Sequence, residues 1–391
     1  MDHLSHIARE ALKLLQAEVL SYGFKPAIHY ELEGGYKPRP GKQLDYQAVN
    51  KSMAKLSLQA ELKPEYWQCQ WEYVSLFNGQ SPLQESDNLY KAIQLLPELL
   101  CKHGAQQVYI RPVIWNGDRG GMASGSRAIF HHTARDIHIP NAVQLNLSLI
   151  DSHGNNLMAD GPLAEQIQCK LLETSYHYCA LFLPEEEAFE RIRLKSHYGL
   201  DQELSSPVNL SGGHQGSIAL YRQWGKHNQP MGVETTLLDC EQQPLVTRQD
   251  WRRGARIEHR LGASSPHYNP YLNSVFALAN VVDVLAERQH GTMPAKRCSE
   301  QQADAKPLPH ALYDSSLGEF PGPSALALLQ QDDWLETILW RIQSHRKPET
   351  EYNDIGAALK QELMASFTRR QPIGDATANL ASINGNPTET I

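Results

Sequence analysis

Charged side chains recur at every second position in two short stretches of this sequence. Arg256, Glu258 and Arg260 form one set, and Glu31 is followed two positions later by Glu33. Because strand side chains point alternately to opposite faces, a strand would place each set on one face. Neighbouring carboxylates repel each other unless water solvates them or a cation bridges them, and Mg2+ or Mn2+ prefers oxygen ligands. The spacing is compatible with a metal site, and also with a solvated strand face that carries simple ion pairs.

Two further segments carry polar groups that could join such a site. Glu72 lies in the stretch 66–74, where mixed aromatic and polar residues are typical of a strand. Strict alternation of apolar and polar residues over 143–149 predicts a second strand, with Gln144, Asn146 and Ser148 on one face.

The elements that must position these residues follow from apolar spacing and turn signals. The pair Asn269–Pro270 marks a turn before a helix with one buried face, and Gly34–Gly35 is expected to end the strand that carries Glu31. Helices are predicted at 5–22, 44–62, 89–103, 163–183, 272–285 and 355–367. Strands are predicted at 26–35, 66–74, 108–113, 143–149, 217–221, 233–238 and 256–260. The glycine-rich stretch 116–126 matches neither a P-loop nor a dinucleotide fingerprint, and is predicted to be a mobile loop.

Composition excludes several classes of function. The chain has 391 residues, 41% of them hydrophobic, and can bury one large core or two domains. A net charge of -8 argues against a nucleic acid or an anionic membrane as the main partner. No apolar run is long enough to span a bilayer, and the first residues do not have the pattern of a signal peptide. The six cysteines contain no Cys-x-x-Cys pair, so we expect a cytoplasmic protein without a dense disulfide framework.

Several strings, in order along the chain, resemble motifs of the glutamine synthetase family. Arg256–Arg260 with Asn269–Leu272 resembles its C-terminal catalytic signature, and Glu31–Glu33 and Gln70–Glu72 resemble its first two metal-binding strands. Gln144–Leu149 with Asp151–Leu157 is similar to the family's histidine-bearing strand and hairpin, and Leu308–Leu312 with Ala325–Trp334 is similar to its closing helical segment. The resemblance covers about residues 5 to 345.

The resemblance implies an α+β fold, in which a curved antiparallel sheet carries helices on its outer face. It implies a catalytic domain over 1–345 and a C-terminal extension over 346–391 that is partly helical or flexible. The family's small N-terminal β-grasp domain is expected to be absent, because only one helix precedes Glu31. The family's chains form rings, which implies a homo-oligomer or a complex with a second subunit.

The implied activity is that of an ATP-dependent carboxylate–amine ligase. In the family, ATP phosphorylates the γ-carboxylate of glutamate and ammonia then displaces the phosphate, with Mg2+ or Mn2+ neutralising the phosphates. By resemblance, Glu31 and Glu258 would hold the metal beneath the nucleotide phosphates, and Glu33 and Glu72 the metal near the amino-acid substrate. Arg260 would contact the substrate or the phosphoryl group.

Departures from the family's pattern leave a second hypothesis open. Gln144 stands where the family has a histidine metal ligand, and Asn146 replaces a second histidine. A further glutamate is missing near Gln80, and His214 and Ala219 stand where the family has two arginines. The sequence therefore allows either a divergent ligase for glutamate or a related acid with ammonia or another amine, or a catalytically inactive homologue with a binding or regulatory role.

Overall fold

A computed structural model of the chain describes residues 1–65, 68–115, 138–197, 218–223, 230–238, 244–291, 308–313, 322–346 and 351–371. Its helices are α1 (His3–Ser21), α2 (Tyr46–Lys55), α3 (Pro82–Lys102), α4 (Leu163–Tyr178), α5 (Glu186–His197), α6 (Pro270–His290), α7 (Ala325–Gln331), α8 (Trp334–Arg346) and α9 (Ile355–Arg370). Its strands are β1 (Lys25–Pro38), β2 (Ala60–Pro64), β3 (Gln70–Ser75), β4 (Ala105–Tyr109), β5 (Val113–Trp115), β6 (His138–Pro140), β7 (Ala142–Ile150), β8 (Ile218–Tyr221), β9 (Val233–Leu238), β10 (Pro244–Arg248) and β11 (Arg256–Ala263). The glycine-rich stretch 116–126 and the predicted loop position of His214 lie outside the described residues.

The centre of the fold is a seven-stranded antiparallel sheet. Six strands lie in the order β2-β3-β1-β7-β11-β8, and β4 pairs with the far end of β1. Along β1, the side chains of Ile28, Tyr30 and Leu32 are fully buried, whereas Glu31 and Glu33 between and beyond them are partly exposed. One face of the sheet therefore packs on helices α1, α3, α4 and α6, and the other carries the charged residues. This is the predicted α+β arrangement.

Helix α6 is the buried helix that the sequence predicts after Asn269. The Asn269 side chain accepts hydrogen bonds from the backbone N–H groups of Tyr271 and Leu272, and Pro270 occupies the first turn. Both features favour a helix start at this position. The helix ends at Gly291, whose φ of 67° lies in the left-handed region.

Several predicted element boundaries are wrong, and local packing explains two of them. The predicted helix 44–62 stops at Lys55, Ser57 adopts a φ of 58°, and the chain turns into β2, which pairs with β3. The glycines at 34 and 35 do not end β1, which continues to Pro38. Gly34 instead makes room for a large side chain, because a Cβ there would lie 2.3 Å from the Trp71 ring.

Helix α9 confirms the helix predicted at 355–367 and is packed into the main core. It contacts α1 and α8, and Leu359, Leu363 and Phe367 are buried between them. Residues 372–391 lie outside the described part of the chain.

No helix among the described residues is both long and apolar enough to cross a membrane. Among the described residues, Cys69, Cys101 and Cys179 form no disulfide bond.

Candidate functional site

The residues that the sequence marks as a site lie on adjacent strands of the exposed face of the sheet. The strand register places Glu33 opposite Glu72, Glu31 opposite Gln144, and Asn146 opposite Glu258. Directly opposed residues have Cβ atoms about 5 Å apart, so their side chains can touch. The sheet therefore brings together five residues predicted from the sequence and adds Asn146 between them.

Glu258 is the most buried of these carboxylates and lies between two arginines. Its side chain is 3% exposed. Arg256 Nη2 lies 3.3 Å from one carboxylate oxygen, and Arg260 Nε lies 3.5 Å from the other. The Tyr221 hydroxyl on β8 also donates to Glu258, at 3.5 Å. One negative charge is thus matched by two guanidinium groups, which offsets the cost of removing it from water.

Asn146 links the second carboxylate to the same network. Its amide nitrogen donates to Glu31 Oε1 at 3.0 Å, and its amide oxygen accepts a hydrogen bond from Arg256 Nε at 2.6 Å. An asparagine can make both contacts at once because its amide carries a donor and an acceptor. Glu31 is therefore connected to Arg256 through a neutral side chain.

Gln144 lies between the two carboxylates, and its amide could face them in either of two orientations. With the nitrogen towards them, it donates to Glu258 Oε1 at 2.8 Å and to Glu31 Oε2 at 3.2 Å. With the oxygen towards them, its nitrogen faces Glu33 Oε1 at 3.5 Å, and three oxygens converge. Adjacent oxygens around an octahedral Mg2+ lie about 3.0 Å apart, so the second orientation has the spacing of a cation shell. Without a cation, the first orientation is the correct one, because in the second orientation the amide oxygen faces only acceptors.

The charges around these oxygens decide how well a divalent cation fits. Arg256 and Arg260 both pair with Glu258, and their positive charges oppose a further cation at short range. The described residues contain no group of three or more histidine, cysteine, aspartate or glutamate side chains that could hold a metal. The Glu31–Gln144–Glu258 cluster fits an ion-pair network, and it would fit a cation only if Arg256 or Arg260 no longer paired with Glu258.

Glu33 and Glu72 form a second, more open acidic pair. Glu33 accepts a hydrogen bond from the backbone N–H of Ala142 at 2.7 Å. Glu72 is half-buried, and on its other side it faces Lys63 across the β2–β3 pairing. A lysine in register can neutralise part of the charge of this pair.

Two groups at this face, Tyr221 and His29, were not predicted from the sequence as part of the site. Tyr221 lies opposite Arg256, whose guanidinium stacks over the Tyr221 ring at 4.9 Å. Burial and the neighbouring Glu258 charge raise the pKa of the Tyr221 phenol, so it stays protonated and can donate. Burial, with a smaller effect from Arg256, lowers the pKa of His29 to about 4, and the His29 ring lies 4.1 Å from that of Phe77. The alternation in 217–221 was the available signal for Tyr221.

The predicted loss of an arginine on β8 has a clear structural counterpart. Ala219 is the residue opposite Glu258 on that strand, and it is fully buried. A methyl group therefore occupies the position from which a longer side chain could have reached the face.

Comparison with known proteins identifies the fold. No protein-family model matches the chain, and no curated protein matches it. Among solved structures, a glutamine synthase homologue has 17% sequence identity over 91% of this chain and 71% of its own, with a TM-score of 0.54. A GmaS complex with ADP has 15% identity over 93% of this chain and 74% of its own, with a TM-score of 0.56. The Plasmodium falciparum glutamine synthetase has 12% identity over 93% of this chain and 75% of its own, with a TM-score of 0.55. These likenesses show that the chain has a glutamine synthetase-like fold, which confirms the fold class predicted from the sequence.

Proposed function

We propose that this chain is a glutamine synthetase-like binding protein without ligase activity of its own. The observation that carries the proposal is the pairing of Glu258 with both Arg256 and Arg260. Phosphoryl transfer needs arginines that hold the transferred group and carboxylates that hold cations. In this site the same arginines and carboxylate bind each other.

The proposed ligand is a nucleotide or a glutamate-like acid bound at the exposed charged face. Both are anions, and either could replace Glu258 as the ion-pair partner of Arg256 or Arg260. The planar guanidinium group can form two parallel hydrogen bonds to a carboxylate or a phosphate. The GmaS structure with ADP supports nucleotide binding as a property of this fold. The chain would act in a homo-oligomer or in a complex with another subunit.

The second candidate is the divergent ATP-dependent ligase that joins a glutamate-like acid to ammonia or another amine. The position of Gln144 between Glu31 and Glu258 favours it, because a bound cation would turn the amide oxygen towards both carboxylates. In this candidate Glu31, Gln144 and Glu258 would hold Mg2+ or Mn2+, with Glu33 and Glu72 at a second metal, and Arg260 would be released to contact the substrate.

One experiment separates the two candidates. The full chain is incubated with ATP, Mg2+ or Mn2+, glutamate and a panel of amines, and phosphate release is followed. The binding proposal predicts no release with any amine and a rise in melting temperature with ATP or glutamate, because a ligand that binds only the folded state stabilises it. Phosphate release that requires an amine would establish the ligase instead. If no ligand changes the melting temperature, the binding proposal is wrong.

A pair of variants locates the binding to this face. Arg260→Gln should abolish the ligand-induced rise in melting temperature. Arg253→Gln is the matched control, because Arg253 is an exposed arginine just before β11 and should leave the rise unchanged. Equal effects of both substitutions would place the ligand elsewhere.

A further inference from the structure

A cavity of about 440 Å³ lies in the helical layer, on the side of the sheet opposite to the charged face. Its lining comes from the start of α1, from α3, from the segment 180–184, from the start of α6 and from the end of α9. None of the sheet strands contributes to it, so it shares no residue with the Glu258 site. Its size lies within the range of about 300–1,000 Å³ typical of small-molecule sites.

The inner wall of the cavity is apolar. Leu181, Leu272, Leu363 and Phe367 line it and are almost fully buried. Contact between this wall and an apolar ligand surface would favour binding, since each Å² of apolar area removed from water contributes about 25 cal/mol.

Arg370 supplies a cation at the edge of this apolar wall. Its guanidinium lies over the Phe367 ring, 4.7 Å from the ring centroid. It donates to the carbonyl oxygen of Pro184 at 3.1 Å, and to the carbonyl and hydroxyl oxygens of Ser366 at 3.2 and 3.4 Å. A guanidinium has five N–H donors, so two remain after these three contacts. Within the described part of the chain, no carboxylate forms an ion pair with Arg370.

The acidic residues that line the cavity are engaged by other groups. Glu362 pairs with Arg369 at 2.6 Å, and the Asp2 carboxylate accepts the backbone N–H of Ser5 at 2.7 Å as the cap of α1. Burial lowers the pKa of Arg370, and Tyr313, Glu185 and Asp2 offset only part of this effect. Neither of these two carboxylates forms an ion pair with Arg370 among the described residues. The helices α1 and α6 both begin at the cavity, and helix N-termini favour negative charge nearby.

We propose that this cavity is a binding site for a small organic acid, with its apolar part against Leu272, Leu363 and Phe367 and its carboxylate at Arg370. The acid gives Arg370 a directly bonded counter-ion, whereas Glu185 and Asp2 act on it only at longer range. The proposal is independent of the activity at the charged face, because the two sites share no residue.

The test measures binding to the full chain by calorimetry. The probes are benzoate, 3-phenylpropionate and octanoate, and each is compared with its neutral amide. At least one acid should bind with a Kd below about 1 mM, and its amide should bind at least about tenfold more weakly, because hydrogen bonds to charged groups are the stronger ones. If no acid binds, or if acid and amide bind equally, the proposal is wrong.

Arg370 on α9 and an arginine on the neighbouring helix α8 provide the variant and its control. Arg370→Gln should weaken binding of the acid at least about tenfold and leave binding of the amide unchanged. Arg341→Gln should change the Kd of the acid less than about threefold, because Arg341 is exposed on α8 and does not line the cavity. Equal losses in both variants would mean that general charge, and not pairing with Arg370, attracts the acid. If Arg370→Gln does not fold, the difference between acid and amide in the unmodified chain still decides the question.

Discussion

Glu85 allows a quantitative prediction about stability and pH. It lies in the first turn of α3, is fully buried, and neither of its carboxylate oxygens makes a hydrogen bond of normal geometry within the described residues. Burial raises the pKa of Glu85 from 4.5 to about 7, and the nearby Ser75 hydroxyl offsets only part of this effect. The folded protein therefore favours the protonated carboxyl group.

The size and sign of the effect follow from the pKa. One pKa unit corresponds to about 1.4 kcal/mol, so keeping an ionised Glu85 in the fold costs about 3 kcal/mol. Below pH 4.5 the group is protonated in both the folded and unfolded states, and there is no cost. As the pH rises from 4.5 to about 7, the unfolded chain ionises first, and the stability contributed by the neutral group is lost.

The Glu85→Gln substitution removes the ionisable group and keeps its size. Urea unfolding of the variant and the unmodified chain at pH 4.5 and pH 8 gives the change in free energy of unfolding. The free energy of unfolding of the variant, minus that of the unmodified chain, should be about 2–3 kcal/mol larger at pH 8 than at pH 4.5. Glu98→Gln is the matched control, because Glu98 is an exposed glutamate on the same helix and should show no such difference. A gain that does not change with pH would refute the reasoning.

Three further substitutions test other parts of the fold. Gly34→Ala should destabilise the protein by about 1–3 kcal/mol in urea unfolding, because its new methyl group would meet the Trp71 ring. The same substitution should cost less in a chain that also carries Trp71→Leu. Asn269→Ala removes the cap of α6 and should cost about 1 kcal/mol by the same measurement, with partial rescue by Asn269→Asp. Burial lowers the pKa of His259 from 6.5 to about 3. The neutral ring therefore contributes to stability above pH 6.5, and this contribution is lost as the pH falls towards 3. The melting temperature of His259→Leu should fall less over this pH range than that of the unmodified chain.

The faces of the strands were predictable because they depend only on local geometry. Alternation of side chains placed Glu31 with Glu33, and Arg256 with Glu258 and Arg260, and the sheet has these sets on its exposed face. The sequence also contained a signal for β2 that the prediction of a long helix missed. Leu58, Ala60 and Leu62 are buried at every second position, which is the period of a strand.

The partners of Glu258 were not predictable in the same way. Its contacts depend on which strands become neighbours and in which register, and these contacts join residues far apart in the chain. Tyr221 enters the site only because β8 pairs with β11, and Asn146 only because β7 pairs with β11 on the other side. A shift of one residue in either pairing would send these side chains to the opposite face.

The resemblance of several motifs to a known family implied the α+β class. The sequence by itself determined the order of most helices and strands, and the set of charged residues that share a face. These features follow from side-chain periodicity and turn chemistry, which act over a few residues. Only the tertiary structure decided that Glu258 pairs with two arginines, that Gln144 lies between two carboxylates, and that five separate segments enclose the cavity at Arg370. The physical reason is that ion pairs and cavities depend on the positions of groups that only the folded chain brings together.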